Sequence, residues 1–174
     1  MIRIAFLITN KFLDIDSTTL AGYDFSGMDL HRAILNGYCL DGAKFENSHL
    51  RNVMIQHTST RNAVFRNAAL MNAILNNSDF TGSDFSNSRS IGANFEGAIL
   101  TNSTFCNADV KDSNFSGADL CGANLLCDRY GDINITGALF DKNTSWLEGF
   151  DPIAHGAILK KNMTRIITHY FLCQ

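Results

Sequence analysis

Five histidines (His31, His49, His57, His155 and His169), five cysteines and 17 carboxylates are the groups in this 174-residue chain that could serve as nucleophile, base or metal ligand. Catalysis needs such groups to converge in a cleft, and a metal needs three or four of them around one point. The spacing brings no histidine onto another or onto a cysteine, and no Cys-x-x-Cys pair occurs. The glycines recur at multiples of five and form no phosphate-binding loop. Asp79, Asp84, Asp109 and Asp119 all stand at one place in a repeating phrase, where a carboxylate can bond nearby backbone, so their abundance is weak evidence of acid–base work. The expectation is a non-enzyme, with no catalytic residue, no cofactor and no metal.

The phrase itself is five residues long. Numbered by multiples of five from Ile15 to Phe140, 24 of 26 positions are Leu, Phe, Ile, Val or Tyr, and only Thr60 and Ser90 are not. Two residues before each centre, the 17 positions from Ala43 to Ala123 hold only Ala, Ser, Thr or Val. Two residues after it, 19 of 24 positions from Gly22 to Gly137 are Gly or Asn. A helix would repeat at three and four and a lone strand at two, so neither explains a period of five. A short extended segment that points its centre inward and then turns would. Gly and Asn tolerate the positive φ of such a turn, and the small residue fills a cramped inward corner.

Ala93-Asn94-Phe95-Glu96-Gly97, Ala118-Asp119-Leu120-Cys121-Gly122 and Ser83-Asp84-Phe85-Ser86-Asn87 carry a resemblance to the pentapeptide-repeat family, which covers about three quarters of the chain. The resemblance implies an all-β fold, a right-handed parallel four-sided β-helix with twenty residues per coil. Handedness rules for parallel connections agree. The domains expected are an N-terminal cap over 1–14, the β-helix over 15–142 and a C-terminal cap or tail over 143–174. About six and a half coils at roughly 4.8 Å would give a rod near 30 Å long.

With twenty residues per coil, residues twenty apart stack. One column of centres reads Phe25, Phe45, Phe65, Phe85, Phe105. One turn column reads Asn47, Asn67, Asn87, Asn107, where amides could bond up the stack. Asp24 falls beside Lys44, Asp41 beside Arg61, Glu46 beside Arg66, and Asp109 between Arg89 and Arg129. Against these opposite-charge neighbours stands one acidic pair, Asp112 over Asp132. Cys39, Cys106, Cys121 and Cys127 fall at outward or turn positions. Tyr23, Met28 and Tyr38 take corners where later coils have small residues, so the first coils are expected to be distorted.

The short apolar run in Met1–Phe12 lacks a convincing cleavage site and is read as a cap over an open sheet edge rather than a leader. At the other end Trp146 and Phe150 are expected to plug the core. Asp151-Pro152 reads as a helix start, with Ile153, Ala157 and Ile158 on one face. Beyond Asn162 the spacing suits either a second capping helix or a frayed tail.

A net charge of −3 with 18% charged residues does not argue for nucleic acid or an anionic membrane, and no stretch reaches the ~20 apolar residues of a membrane span. The odd, unpaired cysteines suit a reducing cytoplasm. The partner expected is a protein, since solenoids present rigid surfaces. Its seat is read from outward columns: Ile34, Met54 and Ile74 in one, Met71 and Ile91 across the corner, with Arg51 and Lys111 at the ends. A homodimer seam is one use of such a stripe. The family resemblance adds an alternative, a DNA-mimic binder of type II topoisomerase (DNA gyrase), which would need a face of unpaired negative charge.

Overall fold

A computed structural model describes residues 1–8 and 10–160. From Asp24 onward, single parallel bridges join each residue before a centre to the one twenty positions on: Asp24 to Lys44, Asp29 to His49, Ile34 to Met54, Cys39 to Ser59, and so upward. Four such bridges per coil, with a turn after each, make a β-helix solenoid of four phrases per coil. The backbone is satisfied between coils, as where the Phe45 N–H donates to the Val64 carbonyl at 2.7 Å and the Lys44 N–H to the Tyr23 carbonyl at 2.9 Å. Nine asparagines take the turn with φ between 53° and 58°, the left-handed region where a β-branched residue would be strained.

The inward side follows the phrase. The centres from Phe25 to Phe115 are sealed from solvent, and so are the small corner residues between them. Phe25, Phe45, Phe65, Phe85 and Phe105 form one stack with centroids 4.7–4.9 Å apart and ring planes within 4°. Phe95 and Phe115 form a second, and the two stacks meet edge to face. Thr60 and Ser90 keep their hydroxyls in this core by pairing within their own phrase, Thr58 Oγ1 with Thr60 Oγ1 and Ser88 Oγ with Ser90 Oγ, each at 2.9 Å.

β1 (Ile2–Phe6) and β2 (Phe12–Ile15) pair antiparallel, Ile2 opposite Ile15. β1 also pairs antiparallel with β3 (Ala33–Ile34), Ala5 opposite Ile34, so the first coil meets a reversed strand along that edge. Tyr38, too large to be enclosed at its corner, is half-buried against the core and donates to the Arg3 carbonyl at 3.2 Å. Tyr23 and Met28 are likewise half-buried against the core, the Tyr23 ring 4.5 Å from that of Phe25.

At the far end the register is less even than the sequence alone suggests. Cys127, not Asp128, takes the inward seat, because a carboxylate would be unpaired there and Cys127 supplies no Gly or Asn for the usual turn. Cys121, at an outward position just after Leu120, and Cys127, at a turn position, are both buried. Regular spacing is already restored at Arg129, which bridges Asp109, and continues at Ile133 and Asn134. β4 (Asn124–Leu125) then pairs parallel with β6 (Ser145–Trp146), twenty-one residues on, and β5 (Leu139–Phe140) with β7 (Ile158–Leu159), nineteen on. Stacking therefore continues past 142.

No helix forms among the described residues of 143–160. Asp151 Oδ1 accepts the Ile153 and Ala154 N–H groups as a helix cap would. Gly156, at φ 85°, ends the turn after one circuit and returns the chain to the sheet, with Ala157 inward. Trp146 and Phe150 pack on the core's end with Tyr130, Phe140 and His155. The helix or tail expected beyond Asn162 lies outside the described residues.

Candidate functional site

Where an aspartate or asparagine stands just before a centre, it commonly bonds the backbone two residues on. Asp79 Oδ1 accepts the Thr81 N–H at 3.0 Å and the Thr81 hydroxyl at 2.6 Å, and Asp84 Oδ1 accepts the Ser86 N–H at 2.9 Å. Asp109 and Asp119 accept from Lys111 and Cys121 in the same way. These are the local side-chain turns that the phrase position favours. Partial burial pushes the Asp79 and Asp84 carboxyls up. The turn bonds, together with Arg61 at Asp79 and Arg66 at Asp84, outweigh it and hold both below the usual carboxylate range.

The ion pairs differ in partner from the stacking expected. Arg61 Nε donates to Asp79 at 2.6 Å and Arg66 Nε to Asp84 at 2.6 Å, each reaching eighteen residues forward. Asp41 takes the Arg61 backbone N–H instead of its guanidinium. Arg129 does meet Asp109, twenty residues back. The asparagine column at 47, 67, 87 and 107 holds the turns, but no side-chain bond links its members among the described residues. Amide chains run elsewhere, Asn36 to Gln56 to Asn76 and Asn134 to Asn114 to Asn94.

Among the candidate residues, Ile34, Met54 and Ile74 are stacked by consecutive parallel bridges. Met71 and Ile91 are stacked across the adjoining turn, where the Asn72 N–H donates to the Ile91 carbonyl at 3.0 Å. All five are half-buried, none reaching the exposure of Ile99 at 45%. The stripe ends at β1, since Ile34 pairs with Ala5. Arg51 and Lys111 extend the Met71 and Ile91 column at either end, as spacing implies. More exposed apolar side chains lie at the C-terminal end, Leu126, Leu147, Ile153, Ile158 and Leu159. A five-residue frame misses these because the register is uneven there.

Among the described residues no three His, Cys, Asp or Glu side chains gather to hold a metal, and no helix is long and apolar enough to cross a membrane. His31 and His49 lie on one face of the solenoid, while His57 stands at a turn with φ 54°.

No curated protein matches the sequence. Among solved structures, alr5209, a pentapeptide repeat protein from Nostoc PCC 7120, is 31% identical, covering 59% of this chain and 84% of its own, with a TM-score of 0.56. The pentapeptide repeat protein Rfr23 from the cyanobacterium Cyanothece 51142 is 24% identical, covering 74% of this chain and 87% of its own, with a TM-score of 0.46. QnrB1, a plasmid-mediated fluoroquinolone resistance protein, is 19% identical, covering 84% and 86%, with a TM-score of 0.40. The family model for pentapeptide repeats matches residues 14–47, 48–87 and 91–125 in eight copies. By its repeats and by the coil they build, the chain belongs to the pentapeptide-repeat family.

Proposed function

We propose that the chain is a non-enzymatic interaction solenoid, right-handed and four-sided, that docks a cytoplasmic protein partner on the edge formed by Ile34, Met54, Ile74, Met71 and Ile91. The observation carrying this reading is the pair of stacked apolar columns on either side of one turn, in a chain whose other outward columns are mostly polar. A contiguous apolar patch on a rigid surface often marks an interface, and methionine adapts its shape to a partner. The aspartates speak for a scaffold rather than a DNA mimic. Asp79, Asp84 and Asp109 each face an arginine, so they give no run of free negative charge.

The test is the double variant Ile74→Asp with Met71→Lys, whose side chains lie outside the core. It is expected to keep the parent's thermal unfolding while losing a partner that the parent recovers from lysate. A fall in mass by light scattering would instead name a second copy as the occupant. Unchanged mass together with every partner retained would remove the stripe as an interface. In a gyrase supercoiling assay no inhibition is expected, and inhibition at stoichiometric protein would favour the topoisomerase alternative.

A further inference from the structure

Arg61 and Arg66 follow one geometric rule. Each stands just after a centre and reaches eighteen residues forward, to a carboxylate one coil up on the same face. Arg51 stands at the same place in its phrase, but eighteen residues on is Ala69. Ala69 is bridged to His49 below it and Arg89 above it. Asp109, the next residue above Arg89, is already held by Arg129. Asp29, the next below His49, accepts the His31 N–H at 3.0 Å. Among the described residues neither Arg51 nor Arg89 has an ion-pair partner. The two arginines, His31 and His49 line an open cleft of about 480 Å³ together with Ala69 and Met71, and Asp29 is the one carboxylate in its wall.

We propose that this cleft binds a dianionic phosphate monoester, seated over Ala69 where the equivalent arginines find Asp79 and Asp84. A guanidinium presents a planar fork of donors that matches a phosphate's oxygens, and two of them balance its charge. Successive coils are roughly 4.8 Å apart, so Arg89 lies one coil above Ala69 and His49 one below, both within side-chain reach of one phosphate. Asp29 repels an anion at the far end and so favours the seat at Ala69. A free phosphate ester and a phosphoserine side chain of a partner protein present the same group. The site borders the apolar stripe at Met71 but does not rest on the stripe being an interface.

The parent protein would be titrated at fixed ionic strength with O-phosphoserine and, separately, with a decapeptide carrying one phosphoserine. The signals followed are the histidine imidazole protons. Saturable shifts are expected at His31 and His49 but not at His57 or His155, and serine is expected to give none. Tighter binding of the peptide assigns a protein source, and tighter binding of the amino acid a free ester. Arg51→Gln with Arg89→Gln is expected to weaken binding at least tenfold, while Arg61→Gln leaves it unchanged. Ala69→Asp supplies the carboxylate from the chain itself, so binding is expected to vanish with the unfolding midpoint equal to or above the parent's. If neither ligand gives saturable shifts on the parent, or Ala69→Asp binds as the parent does, the proposal is overturned.

Discussion

A single carboxylate here is tied down twice, by its own turn and by an arginine from the neighbouring coil. Asp79 is the clearest instance, with the Thr81 N–H and hydroxyl on one oxygen and Arg61 on the other. Its folded-state value lies below that of an unfolded aspartate, near 3.9. The stability it adds is therefore complete above that value and is lost as pH falls through the lower folded one. Asp79→Asn keeps a turn acceptor but gives up the charge. It is expected to lose about 1 kcal/mol in urea melts at pH 7, and the gap to the parent should close as pH falls below the unfolded value and through the lower folded one. A gap that stays constant with pH would mean the ion pair contributes nothing. The thiols divide in a similar way. Burial pushes the Cys127 thiol up to about 12, whereas Cys39 is exposed. A thiolate-directed reagent should therefore label Cys39 in the native protein and Cys127 only after unfolding, as read by peptide mapping.

At the scale of the element, each turn normally closes by a backbone bond from the corner N–H to the centre carbonyl three residues back, as Ala93 donates to Ser90 at 3.0 Å. Two turns close instead through a serine hydroxyl. Ser83 Oγ, from the coil above, accepts the Ala63 N–H at 3.1 Å and donates to the Thr60 carbonyl at 2.7 Å. Ser78 does the same for the Thr58 N–H and the Ile55 carbonyl. A hydroxyl thus stands inside the turn and relays its bond. Ser83→Ala removes both partners of a buried N–H and carbonyl and is expected to cost about 1–3 kcal/mol. Ser103→Ala removes only a donor to Leu100, whose carbonyl also accepts the Ser103 N–H, and should cost under about 1 kcal/mol. Equal losses in denaturant melts would show that the relay carries no weight. Denaturant melts also test the corner itself. Ala93→Leu, sealed in the core, should be far more damaging than the outward Asn94→Leu, since overpacking has no outlet at a bend.

Much of this was legible in the spacing of residue types, because a centre, a corner and a turn each demand a distinct side chain every five residues. The relays were not, since serine at a corner looks the same whether it bonds its own turn, as Ser48 does, or the turn below. The arginine pairs were half legible: the columns hold, but a long side chain chose the neighbour eighteen residues on instead of the one twenty away. Asp151-Pro152 misled because a helix and a single turn begin with the same cap, and only the positive φ of Gly156 separates them. The candidate stripe was legible as two columns, but its half-burial was not, because stacked side chains cover one another.

Across the whole molecule, each coil pairs with its immediate neighbours, the exposed Lys160–Asp119 contact across two coils aside, so stability should behave as a sum of coil terms and nearest-neighbour interfaces. The phenylalanine stack makes that testable. Phe85 has parallel rings on both sides, Phe65 and Phe105 at 4.7 Å, and meets Phe80 and Phe95 edge to face. Phe25 has Phe45 on one side and the tilted Tyr23 on the other. Truncation of a buried phenylalanine to alanine costs about 3–5 kcal/mol, more where the site cannot collapse. Phe65→Ala and Phe85→Ala are therefore expected in that range, with Phe25→Ala below them. The pairwise result discriminates further. Phe45→Ala with Phe105→Ala, three coils apart, should add within about 0.5 kcal/mol, while the stacked pair Phe65→Ala with Phe85→Ala should depart from additivity by about 0.5–3 kcal/mol. Denaturant midpoints of the four single and two double variants, with unchanged slopes, would measure both. Strong coupling between Phe45 and Phe105 would mean that the rod folds as one indivisible core and not as stacked coils.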